Sequence, residues 1–251
     1  MHGAELVTFP EGAQRVARAL VAWGHPHAPV MLDDAARTAQ QAADALGVKL
    51  GQIAKSIVFR RKLDDVAVLV VISGDRRVDE RKLETLVCLD GKRIGRADAE
   101  FVKSKTGFSI GGVSPLAHAS QVLVLIDQSL SRFDEVWAAA GHPNAVFKLA
   151  PQALAQLTGA PVVDLAVSLP EAREARQNAM NLVAVRARAV SADDDNVPSP
   201  CISVCRISTE TGLCEGCFRT LGEISAWSRS GPDAQRKLWQ TISSRMASLP
   251  T

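Results

Sequence analysis

Apolar residues recur about every 3.6 positions from Gly12 to Trp23, and Gly24 stops the run, which predicts an amphipathic helix. Val30 to Leu32 reads as a short strand. Thr38 with Gln41 has the form of a capping box, so a helix starts there and Gly47 ends it. Ser56 to Arg61 and Val66 to Ile72 read as strands joined by a polar turn, Lys62-Leu-Asp-Asp65. Asp79 is placed to cap a helix through Val87, and Asp98 one that closes at Gly107. Val122 to Ile126 reads as a buried strand and Ala145 to Leu149 as another. Between them, the alanine-rich stretch Ser131 to Ala140 reads as a helix stopped by Gly141. Pro151 opens a further helix at the position where proline is best tolerated. Strands and helices mix without a regular βαβ rhythm, so the expected class is α+β rather than a doubly wound sheet.

After Val167 the pattern changes. Leu169 to Val190 is rich in Ala and Arg and has helical character. Ser191 to Pro200 is acidic and proline-bounded, as a linker would be. The organisation read from this is a domain over 5–167, a linker over 168–197 and a small module over 198–249.

A chain of 251 residues is long enough for one large domain and a small one. Its longest apolar run, Val66 to Ile72, is far too short to span a membrane. Met1 to Glu5 lacks the basic start and apolar core of a signal peptide, so the expected compartment is the cytoplasm. The formal net charge of +2 conceals an uneven distribution. Residues 55–105 carry 13 Lys and Arg against 9 Asp and Glu, whereas 1–54 and 106–167 are slightly acidic. Such a concentration suits a polyanionic partner; interspersed charge on a solvated surface is the plainer alternative.

Chemistry concentrates in three segments. Thr106 to Pro115 reads Thr-Gly-Phe-Ser-Ile-Gly-Gly-Val-Ser-Pro. Gly111 and Gly112 leave a backbone that a ligand can approach, and Pro115 stiffens the exit. Main-chain donors in such a loop suit a carbonyl or phosphate oxygen, although Gly-Gly alone is usually only a turn. In Gln52 to Phe59 a lone lysine, Lys55, interrupts an apolar passage from helix into strand. Ser73-Gly-Asp-Arg-Arg-Val-Asp-Glu-Arg-Lys-Leu83 follows the apolar run and leads into a helix. Together with the helix from Thr38 to Gly47, these segments, in their order along the chain, resemble the YbaK/ProX family of bacterial aminoacyl-tRNA editing domains, relatives of the insertion domain of prolyl-tRNA synthetase. The resemblance runs from about Glu5 to Val167. It implies a curved mixed or antiparallel sheet, partly closed like a barrel, with helices around it.

It also implies a deacylase that hydrolyses the ester between a wrong amino acid and the terminal adenosine of tRNA. Lys55 matches the family lysine that contacts that nucleotide, and Gly111 and Gly112 match the loop that positions the carbonyl and water. A neighbouring ribose hydroxyl assists the attack, and catalysis needs no cofactor. Ser114 and Pro115 complete the loop; a serine in a turn usually bonds its own backbone. His118 lies close enough in sequence to face the site, although a lone histidine is more often structural. Asp75 suits either Lys55 or a ribose hydroxyl as partner, or the cap of its own turn. Asn144 is a candidate for the pocket rim or an ordinary turn residue. Cys88 reads as a small buried apolar residue. The expected partners are the acceptor end of tRNA and a synthetase, with no membrane and no DNA.

Cys201-x3-Cys205-x8-Cys214-x2-Cys217 is a second constellation. In a reducing compartment four clustered cysteines favour metal over disulfides, with zinc first and an iron–sulfur cluster second. The wide first pair departs from a zinc ribbon, and four thiols packing a small core without metal is the alternative. The segment from Pro198 to about Met246, with Arg219-Thr-Leu-Gly-Glu-Ile-Ser-Ala-Trp227, resembles a small bacterial domain of unknown function. Trp227 and Trp239 read as core residues of so short a module. Two other functions fit the same sequence: a non-catalytic RNA- or nucleotide-binding protein, and a metal- or redox-responsive regulator acting through the cysteines.

Overall fold

Val66–Ser73 (β3) is buried on both faces along nearly its whole length, because its run of Val, Leu and Ile has no polar face to offer solvent. In the computed structural model, which describes residues 9–33, 38–88, 93–191, 195–208 and 211–249, this strand lies inside a mixed sheet of eight strands. It pairs antiparallel with Ile53–Arg61 (β2) through the turn at 62–65, and parallel with Leu123–Asp127 (β5). At that turn Asp65 takes a left-handed φ of 54°. Beyond β2 come Val136–His142 (β6), Ala145–Leu149 (β7) and Val30–Met31 (β1); beyond β5 comes Val162–Val163 (β8). Ile94–Arg96 (β4) adds to β2 at its far end. The short strands β1 and β8 end the order without pairing with each other, so the sheet is not closed.

Helices pack on this sheet. Glu11–Ala22 (α1) buries Ala13, Val16, Ala17 and Leu20. With Ala99–Thr106 (α4) and Pro151–Thr158 (α5) it covers the larger core, built on Ala54, Val58, Leu69, Val71, Ala138 and Phe147. The other face carries Phe59, Val68, Val70 and Ile72 under Glu80–Val87 (α3). Ala39–Leu46 (α2) packs on Ile53 and Trp137. The predicted caps hold: Thr38 and Gln41 form the box, Asp79 and Asp98 accept main-chain N–H groups, and Gly47 and Gly107 end their helices.

One expected helix is a strand. Over 131–140 the alanines suggested helix, but Val136, Ala138 and Ala140 are buried in alternation and the strand pairs with β7 and β2. Alanine is the best helix former, yet pairing with two neighbours outweighs a propensity of tenths of a kcal/mol per residue.

Compact units divide at Val167/Ser168. The second contains Leu169–Ala187 (α6), Leu221–Ala226 (α7) and Pro232–Ser248 (α8). The stretch read as the start of a linker is thus α6, capped by Ser168 and Glu171, and its Ala179 and Val183 are buried with Phe218, Trp239 and Ile242. Trp227 is partly buried against the same core. The expected domain start at Glu5 and residues 192–194 of the acidic stretch lie outside the described residues. Among those described, no helix is long and apolar enough to cross a membrane.

Candidate active site

The edge of β2 facing β6 and β4 sets up the site. On it, β6 pairs only with Ile53 and Ala54, and β4 only from Phe59 onward. Among the described residues, no strand pairs with Ser56 and Ile57 on this edge. A cavity of about 250 Å³ lies against the gap, lined by Ser56, Ile57, Val58, Arg96, Ala97, Val102, Ile110, Gly111 and Val113. Its walls are mostly aliphatic. The Ser56 hydroxyl is buried and has no hydrogen-bond partner.

Lys55 and Ser56 point to opposite faces, as neighbours in a strand must. Ser56 pairs with Val71, which belongs to the larger core, and Lys55 with Ile72, which belongs to the other. The Lys55 ammonium donates to the carbonyls of Gly74, at 3.1 Å, and Arg76, at 2.5 Å. The structure thus places Lys55 on the turn after β3 and Gly111 at the cavity, with the unpaired edge of β2 between them.

Asp75, in the same turn, is bound by a residue that sequence reasoning missed. Arg132 donates to both carboxylate oxygens, at 3.1 and 2.6 Å, and to the Ser73 hydroxyl at 2.9 Å. The Ser73 hydroxyl also lies 2.8 Å from Asp75. Burial pushes the Asp75 carboxyl up, but the bonds from Arg132 and Ser73 and the guanidinium charge outweigh it and leave it below the usual carboxylate range. Asp75 thus works locally, fixing the turn that holds Lys55. Arg132 lies outside the three motifs, and nothing in its local pattern signals a partner 57 residues away.

The glycine loop is built differently from the open platform that its sequence suggested. Gly111 is exposed with a φ of +92°, a conformation that favours glycine. Gly112 is buried, and its N–H donates to the Ser109 carbonyl at 3.0 Å. A Cβ on Gly112 would stand 2.6, 2.7 and 2.8 Å from backbone atoms of His142. Gly112 is thus required for contact with the β6–β7 hairpin, while Gly111 faces the cavity. That hairpin tip holds His142, Pro143 and Asn144. Asn144 donates its N–H to His142 Nδ1 at 3.1 Å, and its carbonyl receives the Leu32 N–H at 2.6 Å. It therefore serves as a turn residue beside the glycine loop.

Ser114 is fully buried, and among the described residues its hydroxyl oxygen accepts a long 3.4 Å bond from the Leu116 N–H. Pro115 is buried next to it. His118 Nε2 lies 2.8 Å from the Ser114 carbonyl, to which it donates. Burial pulls the His118 pKa down; the bond to Ser114 opposes this and the Arg15 charge adds to it. The bond to Ser114 ties the imidazole to the backbone of the loop. Arg15 from α1 fastens the same loop at the carbonyls of Ala117, at 2.8 Å, and Thr106, at 3.1 Å.

Part of the basic excess over 55–105 is engaged in ion pairs. Arg60, Arg61, Lys82, Arg93 and Arg96 all pair with carboxylates. Cys88 caps the end of α3 and packs against the smaller core.

Comparison with known proteins bears on this geometry. Residues 33–157 match the aminoacyl-tRNA editing domain model, and 199–246 match a family of proteins of unknown function, DUF1289. Protein YwhH of Bacillus subtilis is 32% identical over 136 residues, 54% of this chain and 84% of YwhH. EbsC of Enterococcus faecalis, a candidate Cys-tRNA(Pro)/Cys-tRNA(Cys) deacylase, is 26% identical over 121 residues, 48% of this chain and 72% of EbsC. The proline–tRNA ligase of Gloeobacter violaceus is 39% identical over 99 residues, 38% of this chain but only 16% of the ligase. A solved structure, described as that of a candidate trans-editing enzyme for prolyl tRNA synthetase, is 40% identical with a TM-score of 0.59. It is matched over its whole length by 64% of this chain.

Proposed function

Since this chain belongs to the aminoacyl-tRNA editing domain family, we propose that it is a hydrolase that removes wrongly attached amino acids from tRNA in trans. The observation that carries the reading is the cavity at the unpaired edge of β2. An extended ester entering there meets strand backbone on one side and Gly111 on the other. Its aminoacyl side chain enters the aliphatic pocket, where the Ser56 hydroxyl offers a hydrogen bond. Lys55, oriented by two carbonyls, supplies positive charge for the terminal nucleotide on the other face of the strand.

Hydrolysis then follows the ordinary course of an ester. Water adds to the carbonyl carbon, the oxyanion is stabilised by main-chain donors and nearby positive charge, and the bond to the ribose oxygen breaks. The products are a free amino acid and tRNA with its hydroxyl restored. His118 braces the loop in this reading, with Nε2 tied to the Ser114 carbonyl. Action in trans is supported by the extent of the matches: most of YwhH and EbsC is covered, but only a small part of the ligase.

The test is to incubate the full chain with tRNAs mischarged with different amino acids and to follow release of the amino acid. Release from a subset, lost in Lys55→Ala, is expected. Tight binding of charged tRNA without release would replace the hydrolase by a binding protein.

A further inference from the structure

The four cysteines expected to take a metal do not present a site for one. Cys214 and Cys217 are buried, Cys205 is exposed, and among the described residues no three metal-ligating side chains converge on one point. Polar side chains do converge in the first unit, around the turn that holds Lys55. That turn, 73–76, is closed by the Arg76 N–H on the Ser73 carbonyl at 2.9 Å. Its Gly74 and Arg76 carbonyls receive the Lys55 ammonium. The direction of that charge therefore depends on where the turn stands.

Arg132 holds the turn from outside, through both Asp75 oxygens and the Ser73 hydroxyl. The Ser73 hydroxyl also reaches the Gly51 carbonyl. A Cβ on Gly74 would stand 2.3 Å from the Leu50 carbonyl oxygen, so the turn is seated on the backbone just before β2 as well. Arg132 is itself fixed. It ends the short 3-10 helix Gln128–Arg132, its Nε donates to the Ser129 carbonyl at 2.8 Å, and its guanidinium lies 5.0 Å from the centre of the Phe133 ring. Asp127, fully buried, caps that helix at the Ser129 N–H at 2.9 Å. A planar fork anchored in this way is a rigid support for two carboxylate oxygens. The Arg132 and Asp75 side chains are 37% and 34% exposed, and ion pairs that exposed add little to stability. What the bidentate geometry supplies is position.

We propose that Arg132 is a positioning residue for Lys55: through Asp75 and Ser73 it fixes the turn whose carbonyls orient the ammonium. This rests on the editing reading, in which Lys55 supplies charge for the terminal nucleotide of tRNA. Arg132 acts through the turn and makes no contact with the nucleotide. Two consequences separate this role from a direct contact between Arg132 and a phosphate. Losing Arg132 should matter only while Lys55 is present. A lysine at 132 should not replace it, because a single ammonium keeps the charge but cannot span both carboxylate oxygens and the hydroxyl.

The test is a double-mutant cycle on the full chain, read as kcat/KM for a mischarged tRNA. Arg132→Ala and Arg132→Lys should each lower it about 10- to 100-fold, as a misplaced charge does. Adding Arg132→Ala to Lys55→Ala should cost less than about a further twofold. Equal losses in the two backgrounds would make Arg132 an independent contact and overturn the proposal. Full activity of Arg132→Lys would overturn it too, since charge alone would then suffice. A second measurement needs no substrate: the side-chain ammonium resonance of Lys55 in protein carrying isotope-labelled lysine, identified by its absence from Lys55→Ala. Its protons should exchange with water faster in Arg132→Ala than in wild type, and an unchanged rate counts against positioning. Should Arg132→Ala fail to fold, Asp75→Asn, which keeps the shape of the turn and weakens the fork, is read in the same two ways. If the wild type releases no amino acid from any charged tRNA, the editing reading fails, and ammonium exchange alone decides whether Arg132 positions Lys55.

Discussion

At the scale of single residues, Lys55 and Gly112 show what a motif does and does not reveal. A lysine inside an apolar strand is legible in sequence as an anomaly. The carbonyls of Gly74 and Arg76 that hold it become visible only when β2 and β3 are paired. Replacing Lys55 by Ala should lower kcat/KM for a mischarged tRNA by about 30- to 1000-fold, the loss of about 2–4 kcal/mol of charge stabilisation. Circular dichroism should be unchanged, and near-normal turnover would remove Lys55 from the mechanism. Gly112 reads in sequence as open backbone, but in the structure it is the point where loop and hairpin touch. Gly112→Ala should therefore destabilise the fold by about 1–3 kcal/mol through overlap with the His142 backbone. Ser114→Ala removes only a long 3.4 Å bond and should cost about 1 kcal/mol or less. Urea denaturation of the two variants gives the order, and a larger loss for Ser114→Ala would mean that the hydroxyl matters more than its contacts indicate.

Elements were legible wherever the signal was local. Caps at Thr38, Asp79 and Asp98 are written within a few residues, and the apolar run of β3 needs no partner to be recognised. The strand β6 was hidden because alanine carries too little apolar contrast for its alternation to show. Strands β4 and β8, of three and two residues, exist only through their partners. Arg132 and the unpaired edge of β2 escaped notice for the same reason: both depend on the order of strands. In the second unit, the box of Thr220 and Glu223 starting α7 was within reach of the sequence, but the tie to Arg245 on α8 was not. Arg245 donates to both Glu223 oxygens, at 2.7 and 2.9 Å. These bonds come first among the causes that hold the Glu223 carboxyl at about 2. Its folded pKa lies below its unfolded one, so this stabilisation is present above about 4.5 and is lost as pH falls towards about 2. With solvent screening, about 1 kcal/mol is expected. Melting of the full chain across that window should show a steeper acid loss for wild type than for Glu223→Gln. Parallel curves would mean that the pair contributes nothing to stability.

On the scale of the whole molecule, the described residues of the two units bury separate apolar clusters. Three clusters are built entirely from residues before Val167, and a fourth from residues after Ser168. The change of composition after Val167 was visible in sequence; that α6 joins the second core was not, because its apolar positions are sparse along an Ala- and Arg-rich helix. Separate cores imply separate stability, since residues without shared contacts contribute almost independently. A natural chain matched over its whole length by 64% of this one, at 40% identity, has been solved as a structure, so the first unit resembles a fold that stands alone. Lys55 and the whole cavity lining, Ser56 and Gly111 included, lie within that unit. A chain ending at Val167 should therefore fold and hydrolyse a minimal aminoacyl-ester substrate with kcat/KM within about twofold of the full chain. Full-length tRNA is the discriminating comparison. If the second unit assists docking, truncation should raise KM for tRNA while leaving kcat and the minimal substrate untouched. A folded but inactive truncation would mean that the second unit completes the active site, and the division of labour drawn from the two cores would be wrong.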